Sequence, residues 1–408
     1  MRIGFLFNHD QIHQVAHSLP IALALAESEP DLEIIVATTN EVLHREVERI
    51  IAEHGGPAPR LVSLRQRNPL LRGAVKALDG IIPAAKLAVY RDNLDFFRSL
   101  DALVVAEKTS AILKTRYGLE SLRIIHTRHG AGDRAIGFNK ASAQFDFVLV
   151  AGPKIRDRLV AETGIPLERL AIVGYPKFDL PRARSLPPKL QGNCKPTVLY
   201  NPHVSPYLSS WYKHGRAVLD YFVANPDYNL IFAPHVMLFE RRVVISIDKL
   251  RLDWPGRLEP KYHDAPNIHV DPGSPASTDM SYTEAADIYL GDVSSQVYEF
   301  LIRPRPCIFL NSHRFGVADD PNFAHWATGR VIDDPSQLHD ALIRAPTEHL
   351  GYLEIQRDLF ALSIDLTQTP SSERAARAIR RFLKVTNGAA AACAKRAAGQ
   401  QATKAAAA

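Results

Sequence analysis

The stretch Ala286-Asp287-Ile288-Tyr289-Leu290-Gly291-Asp292-Val293-Ser294-Ser295-Gln296-Val297-Tyr298-Glu299-Phe300 decides the reading of this chain. It reads as a short buried strand, a tight turn, and a helix that opens at two consecutive serines. A helix start presents unpaired N–H groups and the positive end of the macrodipole, so it suits a phosphate. The hydroxyls of Ser294 and Ser295 add donors, and Glu299, one turn on, reaches toward a ribose. The plainer alternative is that Asp292 or Ser294 only caps the helix. A second half follows in Arg303-Pro304-Arg305-Pro306-Cys307-Ile308-Phe309-Leu310, where the helix ends and another apolar strand begins.

That strand, serine pair, helix, Arg-Pro and strand resemble the C-terminal signature of the CDP-glycerol glycerophosphotransferase family, the teichoic-acid primases and polymerases. Upstream, His126-Thr127-Arg128-His129-Gly130, followed by Arg134 and by Ile136-Gly137, is similar to the family's Gln-x-x-His-Gly segment. Val198-Leu199-Tyr200-Asn201-Pro202 is similar to the strand that opens its nucleotide domain. The three matches stand in the family's order over roughly residues 120–312.

Bulk properties agree with a two-domain enzyme. At 408 residues, 46% hydrophobic and 23% charged, the chain is long for one core and comfortable for two. Cys194, Cys307 and Cys393 are too few and too scattered for a disulfide framework or a zinc site, which points to a reduced, cytoplasmic setting. Asn8, His9 and Asp10 interrupt the apolar start before a signal-peptide core is complete, and no window approaches the ~20 apolar residues of a membrane span. The net charge of +5 suits an anionic partner without naming one. No nucleic-acid-binding role is expected. Between Arg65 and Arg91, six basic residues against Asp79 are interleaved with Leu and Ile. This is the composition of an interfacial helix on the inner face of an anionic membrane, or equally of an ordinary surface helix.

Apolar runs at Ile3–Phe7, Glu33–Thr38, Arg60–Leu64, Ala102–Ala106, Arg123–Thr127, Phe147–Val150 and Leu170–Val173 predict strands. Helices are predicted between them, at Ser18–Ser28, Glu41–Glu53, Arg91–Leu100 and Lys154–Thr163. A proline-rich, basic stretch over 181–196 reads as a linker. Beyond it strands are predicted at Thr197–Asn201, Asn229–Ala233, Ile268–Val270, Ile288–Leu290 and Cys307–Leu310. Helices are predicted at Trp211–Ala224, Phe239–Leu250, Pro335–Ile343 and Ser372–Leu383. The expectation is an α/β protein of GT-B architecture, two doubly wound Rossmann-like domains (1–180 and 197–387) facing each other across a cleft, with a disordered tail over 388–408.

His129 ends a strand before Gly130, where an imidazole is placed for general-base work; the alternative is that it only orders the turn. The resemblance implies that it deprotonates the acceptor hydroxyl. Arg128 and Arg134 read either as phosphate partners or as solvated charges. His235 follows a strand in Ala233-Pro234-His235-Val236, where the family carries His-Pro; by resemblance it hydrogen-bonds or protonates the leaving group. His203 stands in an analogous place and reads as a loop residue. By resemblance, Asp292, Ser294, Ser295 and Arg305 hold the diphosphate of a CDP-polyol and Glu299 its ribose. Asn8, His9, His13 and Arg134 lie on the acceptor side. No P-loop, HExxH, CxxC pair or nucleophile elbow occurs, so no metal or cofactor is expected. The implied reaction moves glycerol phosphate, or a related polyol phosphate, from a CDP-activated donor to a hydroxyl of a polysaccharide or lipid-linked acceptor. The rival readings are a nucleotide-sugar glycosyltransferase or epimerase, and a non-catalytic module that binds nucleotide or acceptor.

Overall fold

The computed structural model describes residues 1–9, 11–66, 84–128, 130–181, 186–240, 242–246, 251–316 and 320–386. His129, most of the Arg65–Arg91 segment and the 388–408 tail lie outside the described residues. The chain divides into two units, Met1–His129 with Lys140–Leu180 and Asp365–Ala408, and Gly130–Asn139 with Pro181–Ile364. Two segments therefore change sides relative to the predicted domains of 1–180 and 197–387. The segment from Asp365 returns to the first unit because Ala375, Ala376, Ile379 and Leu383 complete that unit's core. Its entry is fixed by Asp179, whose carboxylate accepts from the N–H groups of Ser371 and Ser372 at 3.2 and 2.6 Å.

The first unit holds seven parallel strands, β1 (Arg2–Phe7), β2 (Glu33–Thr38), β3 (Arg60–Ser63), β4 (Ala102–Val105), β5 (Arg123–Thr127), β6 (Phe147–Val150) and β7 (Leu170–Ile172). Their order is β3-β2-β1-β4-β5-β6-β7. The strands are short apolar runs because helices cover both faces of the sheet. The order of strand addition reverses between β1 and β4, so the loops after these two strands diverge and leave a crevice at the sheet's carboxyl edge. Helix Glu41–His54 starts on Asn40, whose side chain accepts from Leu43 N–H, and stops at Gly55 with φ of 69°. The helix predicted over Arg91–Leu100 is instead two pieces, Ala84–Asp92 and Leu94–Arg98. Asn93 breaks it by donating its side-chain amide to the carbonyls of Val89 and Arg65.

The second unit holds β8 (Thr197–Asn201), β9 (Asn229–Phe232), β10 (Val244–Ser246), β11 (Arg251–Asp253), β12 (Ile268–Val270), β13 (Ile288–Gly291), β14 (Cys307–Leu310) and β15 (Arg330–Ile332). Six of them form a parallel sheet in the order β12-β9-β8-β13-β14-β15, with its reversal between β8 and β13. The described residues of Phe239–Leu250, where a helix is predicted, form no helix. Val244–Ser246 pairs antiparallel with Arg251–Asp253 instead, as the β-branched run Val243-Val244-Ile245 favours. The helix expected at Pro335–Ile343 runs as Leu338–Ser363, through Pro346. Around Ser294-Ser295 the backbone is a turn, and the following helix, Val297–Phe300, has four residues. So short a helix has almost no macrodipole, and any anion affinity there must come from side chains and individual N–H groups.

Candidate functional site at the carboxyl edge of the second unit

The turn after β13 carries the serine pair, but its members differ. Ser294 is buried and its Oγ accepts from Gln296 N–H at 3.4 Å, whereas Ser295 is exposed. Gly130 and Gly132, from the His-Gly segment, lie against Ser295. A Cβ placed on Gly132 would stand 3.1 Å from Ser295 Cβ, and one on Gly130 3.6 Å from its Oγ. Gly130 also has φ of 88°, a conformation other residues adopt only under strain. Two motifs 165 residues apart in sequence thus meet in one unit.

Asp292 is not a ligand group. It is 1% exposed, and its carboxylate accepts from the N–H groups of His203, Ser210 and Val293 and from Ser210 Oγ. Burial raises its pKa, and those hydrogen bonds offset part of the rise. It ties the loop after β8 to the turn after β13. Arg305 is likewise turned to a structural task. Its guanidinium stacks 3.8 Å over the Phe300 ring and donates to the carbonyls of Thr283, Ala286, Phe300 and, through Nε, Arg303. Ala286 precedes β13 and Arg305 precedes β14, so this arginine braces the amino edge of the sheet and does not reach the serine turn. Glu299 is buried in the short helix, where its charge bears on Tyr289.

His203 and His235 end the loops that leave the adjacent strands β8 and β9, and their rings lie 5.6 Å apart. Each sits in a Pro-His-Val triplet, at 202–204 and 234–236. This repeat is the signal in the sequence that marks His203. Local geometry repeats as well: Ser205 N–H donates to His203 Nδ1 at 2.9 Å, and Met237 N–H to His235 Nδ1 at 3.3 Å. With Nδ1 accepting, the neutral ring carries its proton on Nε2. Arg134, expected on the acceptor side with the first unit's residues, lies in the second unit with its Nη1 2.9 Å from His203 Nε2. Two donors therefore converge, an arrangement that an anionic oxygen beside them, accepting from both, would satisfy.

Burial, with Arg134 second, depresses His235 to about 4. Burial, then Arg134 and His235, holds His203 well below the ordinary value. Burial thus favours the uncharged form of both rings, and each can then offer an Nε2–H hydrogen bond. Arg134, His203 and His235 can together supply three donor groups to a phosphate, and Ser295 lies against the Gly130–Gly132 turn that precedes Arg134 in the chain.

A second buried group went unnoticed in the sequence. Asp133, 3% exposed, accepts from Tyr298 Oη at 2.6 Å and pairs with His325 Nδ1 at 3.0 Å. His325 Nε2 stands 3.0 Å from the Asp292 carbonyl, which also accepts from Trp326 Nε1 at 2.7 Å. Separations of 165 and 192 residues leave no local pattern for these partnerships.

In the first unit the loop after β1 is largely committed to its own packing. Asn8 donates to Tyr90 Oη at 2.6 Å, which in turn bonds Ser110 Oγ. His9 is buried, 3.5 Å from Glu107, and His13 is half-buried in the 3-10 turn Ile12–His17. Asn8 and His9 are thus framework of the crevice wall rather than open contacts. Lys108 follows β4, and Arg128 follows β5. Burial first, then Arg128, lowers Lys108 to about 8; burial first, then Arg158, lowers Arg128 to about 10.

No family model and no curated protein matches the chain. Solved structures do. S. aureus MnaA with UDP is 14% identical, covering 94% of this chain and 97% of that one, with a TM-score of 0.59. A putative UDP-N-acetylglucosamine 2-epimerase from Listeria monocytogenes is 13% identical, covering 94% and 97%, at 0.58. The wall teichoic acid polymerase TagF, as a variant with CDPG, is 14% identical, covering 94% and 89%, at 0.60. Together with two parallel sheets of seven and six strands, this likeness establishes that the chain has the GT-B fold.

Proposed function

We propose that this protein transfers glycerol phosphate, or a related polyol phosphate, from a CDP-activated donor to a hydroxyl of a polysaccharide or lipid-linked acceptor. The observation that carries this reading is the meeting of the Gly130–Gly132 turn with Ser295, beside Arg134, His203 and His235. Those groups offer donors to a diphosphate. The Arg134 guanidinium and the Nε2–H groups of both histidines take the non-bridging oxygens, with Ser295 Oγ beside them, and Glu299 takes the ribose. His129 removes the acceptor proton. The acceptor oxygen then bonds the phosphorus that bears the polyol, the bridging P–O bond breaks, and CMP leaves with the electron pair. A phosphate monoester has its second pKa at about 6 and departs without being protonated. Neutral, hydrogen-bonding histidines therefore suit the step, in which positioning and charge neutralisation outweigh covalent chemistry.

The structural likeness to 2-epimerases, as high as that to TagF, favours a second reading in which the same donors hold a UDP-sugar. Incubation with CDP-glycerol and, separately, UDP-N-acetylglucosamine decides between them. Release of CMP with incorporation of glycerol into polymer is expected. Epimerised sugar would establish the second reading, and nucleotide binding without turnover of either donor would leave a binding module.

A further inference from the structure

Beside the donor turn stands a row of rings that the proposed chemistry does not use. Tyr207 comes from the loop after β8, His313 and Phe315 from the loop after β14, and Phe323 from the 3-10 segment Pro321–Thr328. Ring centroids of Tyr207 and Phe315 are 5.2 Å apart, those of His313 and Phe315 5.5 Å, and those of Phe315 and Phe323 5.3 Å. All four residues are half-buried, unlike the closed aromatic core of the same unit around Trp211 and Phe232. Phe323 passes contact on to Trp326 at 4.8 Å, and the Trp326 indole donates to the Asp292 carbonyl. The row is thus continuous with the turn that carries Ser294 and Ser295.

Cations edge these rings. Arg314, between His313 and Phe315, is exposed and holds φ of 52°, a left-handed conformation costly for a side chain of this kind. Arg251 is exposed on β11, and Lys213 reaches across to donate to Ser312 O at 2.9 Å. The charges of Arg251 and Lys213 both bear on the His313 ring. Among the described residues, none of the three cations enters an ion pair. Half-open ring faces suit the C–H surface of a sugar or polyol, and guanidinium and ammonium groups suit its phosphates.

We propose that Tyr207, His313, Phe315 and Phe323, with Arg251, Arg314 and Lys213, form a binding shelf for a phosphate-bearing polyol or saccharide chain. It places such a chain along the donor turn. The occupant's identity as acceptor rests on the transferase reading; the shelf itself does not. The rings pack against one another instead of standing apart, which disfavours a single-stranded nucleic acid, whose bases each need a free ring face.

Affinity electrophoresis through gels carrying poly(glycerol phosphate), neutral dextran or oligo-dT tests this, with CMP titration in parallel. Retardation by poly(glycerol phosphate) alone is expected. It should fall about tenfold in Tyr207→Ala/Phe315→Ala and, independently, in Arg251→Ser/Arg314→Ser, whose sites are exposed and leave folding intact, while CMP affinity stays unchanged. Equal retardation by oligo-dT, none by any polymer, or variants that run like the parent protein would overturn the proposal. Polymer binding that maps to the shelf in a protein that ignores CMP would sink the donor reading and keep this one.

Discussion

Replacing Arg134 by Gln separates the two jobs given to its guanidinium. Against a diphosphate it would make a charge-assisted hydrogen bond, the kind that contributes about 1.5–3 kcal/mol. Its loss weakens CMP or CDP-glycerol binding by roughly 10- to 150-fold, at about 1.4 kcal/mol per factor of ten. Against the histidines it acts as a like charge 2.9 Å from His203 Nε2, and it contributes to the depressed pKa of both rings. Removing it leaves burial as the main cause, so His235 should rise from about 4 toward the usual 6.5 without reaching it. Calorimetric titration with CMP reads the first effect, and an NMR titration of the imidazole resonances reads the second. A variant that binds CMP like the parent protein would take Arg134 out of the donor site even if the histidines titrate differently. Unchanged histidine titration would refute the electrostatic account of the cluster.

His129→Ala should lower kcat by about two to four orders of magnitude with little change in CMP affinity; a near-normal kcat removes it as the base. Ser295→Ala should weaken CMP binding by roughly 2- to 10-fold, the range of one neutral hydrogen bond, while Ser294→Ala, whose Oγ is already occupied by Gln296 N–H, should not. Equal effects would mean that the turn rearranges around a ligand. Asp133→Asn leaves His325 and Tyr298 facing an amide and should cost about 1.5–3 kcal/mol in urea unfolding, as losing hydrogen bonds to a buried carboxylate does; a loss below about 1 kcal/mol would show the contact to be incidental. Because His203 and His235 are held neutral in the fold but ionise near 6.5 when unfolded, the unfolded state binds more protons below that pH. Stability from this source is complete above about 6.5 and is lost as pH falls toward about 4, and His235→Gln should flatten that limb of the melting-temperature profile.

What the sequence showed and what it hid divide along a physical line. Strands such as Phe147–Val150 and Cys307–Leu310 are short apolar runs buried on both faces, and burial on both faces is itself a local pattern. The β10–β11 pairing is hidden because Phe239–Leu250 mixes apolar and charged residues at a spacing that also fits a helix, and β-branching at 243–245 decides against it. Arg305 was placed by its neighbours in a motif, yet a guanidinium's reach lets it turn toward four carbonyls at the other end of the strand. Nothing in a run of residues records which way a long side chain turns.

The assignment of Gly130–Asn139 to the second unit has a similar cause, visible as a closed circuit. Arg134 meets His203, whose backbone N–H donates to Asp292 Oδ1. The Asp292 carbonyl meets His325 Nε2, and His325 Nδ1 meets Asp133, the neighbour of Arg134 in the chain. Five residues from four loops thus fix one another, and each link is buried or half-buried, where an unmade hydrogen bond costs most. The circuit holds Asp133 inward and so fixes the backbone from which Arg134 reaches the two imidazoles. It also holds the Gly130–Gly132 backbone against Ser295. Asp292 then belongs to the machinery without touching a ligand: removing its carboxylate would free the loop after β8 and misplace His203. An Asp292→Asn variant should therefore lose CMP affinity together with stability, whereas Ser295→Ala should lose affinity alone.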